Sequence, residues 1–229
     1  MRKAPISGID EDQYPHTLQG QSPPLWERPS TPAHATLILA HGAGAPMDSD
    51  FMTGMAQRLA ARGVAVLRFE FTYMARRREN GVRRPPSQQA LLLEEWRGWY
   101  AWVRQQVTGP LAIGGKSMGG RMASLLADEL GADALVCLGY PFHPVGKPDK
   151  TRVAHLAELQ TPTLIVQGER DALGNRADLA EYRLSAAIEV TWLAAADHDL
   201  HPLKASGFSH AQHLDSAAQR VADFLGALR

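Results

Sequence analysis

One short segment of the chain joins a hydroxyl nucleophile to the backbone freedom needed to present it. Gly114-Gly115-Lys116-Ser117-Met118-Gly119-Gly120 follows the aliphatic run Leu111-Ala112-Ile113 and precedes a helix-like stretch that reaches Leu130. A serine on so tight a strand-to-helix turn sits in strained backbone, and small residues at 115 and 119 let strand and helix pass closely. The same turn sets the Met118 N–H at a helix start, where unpaired donors and the positive dipole end favour a developing oxyanion. The chemistry of such a segment is nucleophilic attack on a carbonyl. Gly115-Lys116-Ser117 also matches the end of a phosphate loop, Gly-x-x-x-x-Gly-Lys-Ser, but the first glycine would fall at Pro110 and residues 111–113 read as strand.

A nucleophilic serine needs a base to take its proton and a third group to orient that base. The run Thr163–Gln167 enters Gly168-Glu169-Arg170-Asp171, which puts Asp171 just past a strand end, with Glu169 as a nearby substitute. The run Ile188–Leu193 enters Ala194-Ala195-Ala196-Asp197-His198, which places His198 in the same way, with His201 as its substitute. Ligands of open parallel sheets bind outside the carboxyl ends of the strands, so Ser117, Asp171 and His198 are expected on one edge. Upstream, Thr36–Ala40 leads into His41-Gly42-Ala43-Gly44-Ala45. A glycine-rich turn there can aim a second N–H at the oxyanion, from Ala43 first and Gly44 second, while His41 reads as a hydrogen-bonding support of the loop. Asp197-His198-Asp199-Leu200-His201, with His210 and His213 beyond, also offers ligands for a metal, although the strict zinc spacings are absent.

The elements that would position these groups alternate. Strands are expected at Thr36–Ala40, Val64–Phe71, Leu111–Gly114, Ala134–Leu138, Thr163–Gln167 and Ile188–Leu193, apolar on both faces for much of their length, as in a parallel sheet covered on each side. Helices are expected at about Asp50–Arg62, Gln88–Val107, Met118–Leu130, Ala177–Ala186 and Ala211–Leu228. Leu92, Trp96, Trp99 and Val103 mark one face of the second, and Leu214, Ala218, Val221, Leu225 and Leu228 one face of the last. The tryptophans at 96, 99 and 102 read as helix packing, and Cys137 as core. Residues 1–35, rich in Pro, Gly, Ser and Gln, read as a tail with room for one edge strand, and residues 36–229 as a single α/β domain.

Composition narrows the classes further. The chain has 229 residues, 24 Lys+Arg against 24 Asp+Glu and one Cys. Zero formal charge leaves no basic field for nucleic acid or an anionic membrane, and a lone Cys gives no internal disulfide. No run of about 18 apolar residues and no leader-like segment stand out, so a cytoplasmic protein is the expectation.

His41-Gly42-Ala43-Gly44, Gly115-Lys116-Ser117-Met118-Gly119-Gly120-Arg121, Gly168-Glu169-Arg170-Asp171 and Asp197-His198, in that order, resemble the α/β-hydrolase superfamily over residues 35–229. Phe69-Glu70-Phe71-Thr72-Tyr73-Met74 and Gly139-Tyr140-Pro141-Phe142-His143 look like segments of small predicted hydrolases related to the dienelactone hydrolase branch. The resemblance implies an α/β-hydrolase fold with a central, mainly parallel sheet of six or more strands and helices on both faces. It implies Ser117 as nucleophile, His198 as base and Asp171 as orienter. Dienelactone hydrolases use a cysteine nucleophile, so their substrate does not carry over to a chain with Ser117. Residues 139–161 are too few for a helical cap, so the site is expected to be open. The loop Ala75–Ser87 sets Arg76, Arg77, Arg78, Arg83 and Arg84 against one acid, Glu79, a solvated charged loop or an attractor of an anionic substrate or partner. The reading is a carboxylesterase-like serine hydrolase acting on a small-molecule ester, thioester or related acyl bond, monomer or homodimer, with no cofactor and no metal. The alternatives are a non-catalytic hydrolase-fold module that binds a protein partner and a cofactor-free haloperoxidase or perhydrolase using the same three residues.

Overall fold

The computed structural model describes residues 21–228. The expected tail therefore lies mostly outside the described residues; its described end carries a short strand, β1 (Leu25–Glu27). The order continues β2 (Ala35–Ala40), α1 (Asp50–Ala60), β3 (Val64–Phe69), α2 (Thr72–Asn80), α3 (Gln89–Gln106), β4 (Leu111–Lys116), α4 (Met118–Ser124), α5 (Ala127–Leu130) and β5 (Ala134–Leu138). A 3₁₀ turn (Ala154–Ala157), β6 (Thr163–Gly168), α6 (Arg176–Ala180), β7 (Ile188–Leu193), a second 3₁₀ turn (Lys204–Ser206) and α7 (His210–Gly226) complete it.

Among the described residues the strands form one seven-stranded sheet in the order β1-β3-β2-β4-β5-β6-β7. Only β1 runs antiparallel to its neighbour, β3; the other pairs are parallel. The runs of β2 to β6 are buried on both faces because alternate residues feed two cores, whereas in the last strand, β7, only Leu193 is buried. Ile38, Leu67, Phe69, Ile113 and Ile165 meet α3 and α4 through Leu92, Trp96, Trp99, Val103 and Met122. Leu37, Leu39, Val66, Val136 and Leu164 meet α1 and α7 through Met55, Leu59, Leu214, Ala218 and Val221. This period-2 division explains strands that look uniformly apolar in sequence.

Three expectations about elements need correction. The stretch from Ala75 is not a loop throughout, since α2 carries Arg76, Arg77 and Arg78 and ends at Gly81 in the left-handed conformation at φ +71°. The helix expected over Met118–Leu130 breaks at Leu125-Leu126 into α4 and α5. The helix expected over Ala177–Ala186 is only the five residues of α6, started by an Asn175–Asp178 capping box. Between β5 and β6 the only helical element is the four-residue 3₁₀ turn, so among the described residues no cap domain is inserted there.

The direction of strand progression reverses between β2 and β4, because β3 lies on one side of β2 and every later strand on the other. Such a switch point opens a crevice at the carboxyl edge. The segments following β2 and β4 are His41–Ala45 and Ser117.

Candidate functional site

Ser117 is the one-residue turn between β4 and α4 and holds φ +51°, ψ −116°, a conformation that costs a non-glycine residue energy. The surroundings enforce it. A Cβ on Gly115 would stand 2.5 Å from the Gly119 carbonyl carbon, and one on Gly119 would stand 2.6 Å from both the Ala40 and His41 oxygens. Backbone thus passes backbone at positions where no side chain fits, and the serine is pushed out of the crossing.

Two further loops meet it. Ser117 Oγ lies 2.8 Å from His198 Nε2, and His198 Nδ1 lies 2.7 Å from Asp171 Oδ2. Asp171 is completely buried and accepts two further bonds, Oδ2 from Gln167 Nε2 at 2.8 Å and Oδ1 from the Leu173 N–H at 2.8 Å. Gln167 cannot rotate its amide, because its Oε1 accepts from Tyr140 N–H at 2.7 Å while Nε2 also donates to the Gly174 carbonyl at 2.9 Å. An acceptor-only carboxylate facing Nδ1 fixes the proton there and leaves Nε2 to accept from the serine hydroxyl. The sequence motifs do not single out Gln167; a lone amide near the end of an otherwise aliphatic strand is the signal that could have found it.

The substitutes stand elsewhere. Glu169 accepts from Arg176 and from the Ala195 N–H, and His201 stacks on His210 with ring centres 3.5 Å apart. Among the described residues no group of three or more His, Cys, Asp or Glu side chains is arranged to hold a metal ion. Asp197 instead braces its own turn, accepting from the Asp199 and His201 N–H groups at 3.0 and 2.9 Å.

The His41–Ala45 loop lies beside the serine, a Cβ on Gly42 being 3.7 Å from Ser117 Cβ. Its carbonyls are held from behind. His41 Nδ1 donates to Gly42 O at 2.7 Å, Tyr73 OH donates to Ala43 O at 3.1 Å, and Arg77 Nη1 donates to Gly44 O at 3.0 Å. His41 Nε2 accepts from the Phe71 N–H, which fixes the tautomer, and burial keeps the imidazole neutral by pushing its pKa down. In a trans peptide the N–H points opposite to the C=O, so tying back the Gly42 and Ala43 carbonyls turns the Ala43 and Gly44 N–H groups away from β3 and α2. Among the described residues neither N–H has an acceptor. Met118, first residue of α4, presents its N–H where a helix has no internal partner for it.

Support for α2 comes from groups the motifs did not disclose. Buried Glu95 on α3 accepts from Thr72 N–H at 2.9 Å and so caps α2, its pKa raised by burial. Buried Glu70 accepts from Arg78, which also pairs with Asp48. A second serine–histidine contact, Ser124 Oγ to His155 Nε2 at 2.8 Å, lies inside the α4 side of the fold, with Ser124 buried and its hydroxyl also bonded to the Arg121 carbonyl at 2.8 Å. Among the described residues no carboxylate bonds His155 Nδ1, and burial pushes the His155 pKa down to about 4.

A family model described as an alpha/beta hydrolase domain matches residues 33–226. The chain belongs to the alpha/beta hydrolase family. Solved structures of similar fold include an alpha-beta serine hydrolase homologue from Coxiella burnetii, with 18% identity, 88% of each chain covered and a TM-score of 0.63. A serine hydrolase without lid from Xanthomonas campestris aligns at 20% identity over 86% of this chain and 88% of its own, TM-score 0.63. A dienelactone hydrolase from Anabaena variabilis aligns at 21% identity over 88% and 89%, TM-score 0.65. A comparison with curated proteins finds no match. At these identities the neighbours establish for this alpha/beta hydrolase its fold alone. No described helix is long and apolar enough to cross a membrane.

Proposed function

We propose that this alpha/beta hydrolase is a carboxylesterase-like serine hydrolase that cleaves an ester, thioester or related acyl bond of a small molecule through an acyl-enzyme. The reading rests on one observation: an unbroken hydrogen-bonded chain from buried Asp171 through His198 to a serine held at φ +51°. Ser117 Oγ attacks the acyl carbon as His198 Nε2 takes its proton, and the carbonyl electrons move onto oxygen. Met118 N–H and Ala43 N–H, with Gly44 beside it, receive that oxyanion in a site where fixed donors need no reorganisation. Collapse expels the alcohol or thiol, which takes the proton from His198, and water repeats the sequence to release the acid. Asp171 holds the imidazole in register and stabilises its transient positive charge.

A fluorophosphonate tests the activated serine without knowledge of the substrate. The purified protein should label rapidly, and Ser117→Ala should abolish labelling and lower ester turnover by about 10³-fold or more while leaving thermal stability nearly unchanged. A folded wild type that takes no label and hydrolyses no activated ester would overturn the reading.

A further inference from the structure

The turn that carries His198 is heavily braced, yet the braces miss the histidine itself. Arg170 N–H bonds Ala196 O at 2.8 Å, Leu203 N–H bonds Ala195 O at 3.1 Å, and Asp197 donates its N–H to His201 O at 2.9 Å and accepts from the Leu200 N–H at 3.0 Å. Ala195 and Leu200 stand at φ +54° and +62°, one on each side. Among the described residues a single hydrogen bond engages the His198 main chain: Lys116 Nζ donates to its carbonyl at 2.9 Å.

Lys116 is the last residue of β4, next in chain to Ser117, and its side chain is only 9% exposed. Its stem runs past Gly42, and its ammonium reaches through the space left by Gly139, whose Cβ would stand 3.2 Å from Nζ and 2.7 Å from the His198 oxygen. Asp199 Oδ1 accepts from the same ammonium at 3.1 Å, and the Phe51 ring lies 5.6 Å from it. Burial works against the charge on Lys116, whereas the carboxylates of Asp199, Asp171 and Asp197 favour it. Burying an ammonium is costly unless its donors are used, and here two of the three are taken up by the backbone of one residue and the side chain of the next.

We propose that Lys116 is a positioning residue for the base: it ties the His198 carbonyl to the strand end that bears Ser117, so that one rigid element sets the spacing between nucleophile and imidazole. Asp199 holds the ammonium in place. The catalytic consequence rests on the acyl-transfer reading above; the structural content does not. Without the tie, no hydrogen bond would hold the His198 main chain itself, only those of Asp197 and Asp199 beside it, and a displacement near 1 Å in a reacting group costs on the order of 100-fold in rate.

The test uses Lys116→Met, which keeps the unbranched stem and removes the donor, and Asp199→Ala, a change at a carboxylate 65% exposed. Two quantities are read: kcat and KM on p-nitrophenyl acetate, and the far-downfield proton resonance of the His198 Nδ1–H bonded to Asp171, assigned by its loss in His198→Gln. Lys116→Met should lower kcat about 10- to 100-fold with KM within about threefold, and broaden or erase the resonance. Asp199→Ala should lower kcat several-fold and speed exchange of the same proton with solvent. Should Lys116→Met fail to fold, Asp199→Ala alone decides. Wild-type kcat and an unchanged resonance in either folded variant overturn the proposal, as does a wild type that lacks the resonance. A resonance present in wild type and lost in the variant, in a protein that hydrolyses nothing, leaves the positioning role standing and refutes the hydrolase reading.

Discussion

Replacing Asp171 with asparagine changes no heavy-atom count, yet the surroundings of the residue cannot accommodate an amide. The carboxylate accepts three hydrogen bonds, from His198, Gln167 and Leu173, at 2.7, 2.8 and 2.8 Å, and it is fully buried. The substituted amide brings one acceptor and one donor group. If its oxygen turns to Leu173, its NH₂ faces the Gln167 donor, which Tyr140 and Gly174 prevent from rotating, and His198 is driven to the tautomer that protonates Nε2. If its oxygen turns to His198 and Gln167, its NH₂ faces the Leu173 N–H. Either way a buried donor is left facing another donor, at a cost of about 1–3 kcal/mol, which for a domain of this size lowers Tm by roughly 2–12 °C. Either way the charge that stabilises the imidazolium is gone. The expected fall in kcat on an activated ester is about 10³- to 10⁴-fold, equivalent to about 4–5.5 kcal/mol of transition-state stabilisation, with KM little changed. Stopped-flow or plate-reader hydrolysis of p-nitrophenyl acetate, alongside differential scanning fluorimetry, measures both effects. A variant that turns over within about tenfold of wild type would refute the assignment of Asp171 as orienter.

Other expectations follow from neighbouring contacts. Gly119→Ala puts a Cβ 2.6 Å from two main-chain oxygens, so it should destabilise the fold by more than about 3 kcal/mol and lower soluble yield, read by chemical denaturation. Arg78→Met strips buried Glu70 of its guanidinium partner; because Arg78 is itself 42% exposed, water softens the loss, and about 2–3 kcal/mol is expected by urea titration. His155 has a folded pKa near 4, below its unfolded value, so the unfolded chain binds the extra proton first. Its contribution to stability is therefore complete above about pH 6.5 and lost as pH falls toward 4, and His155→Gln should flatten the decline of Tm across that window.

The site and the fold were legible to different depths. The tight turn at Ser117 could be read because its glycines answer to a local steric demand, two chains crossing at Gly115 and Gly119, which any sequence in that geometry must meet. Asp171 and His198 could be read because strand ends in a parallel sheet share an edge, although their contact is a tertiary fact. Helix α2 escaped because only Tyr73, Met74 and Ala75 are buried and its N-terminal cap, Glu95, comes from another helix. The division of Met118–Leu130 has no glycine or proline at the break to announce it. Lys116 escaped because it acts through a main-chain carbonyl 82 residues away, which leaves no trace in residue identity, and Gln167 because the Tyr140 N–H that orients its amide toward Asp171 comes from a main chain 27 residues away.

The short uncapped connection between β5 and β6 has a consequence for selectivity. A pocket that surrounds its ligand gains from every part of the molecule, and that gain can go into straining or orienting the reacting bond. On the acyl-transfer reading proposed above, a serine nucleophile beside an uncapped sheet edge would grip mainly the acyl carbon and its nearest atoms. Such an enzyme is expected to discriminate by reach, to accept large partners that a lid would shut out, and to saturate only at high substrate concentration.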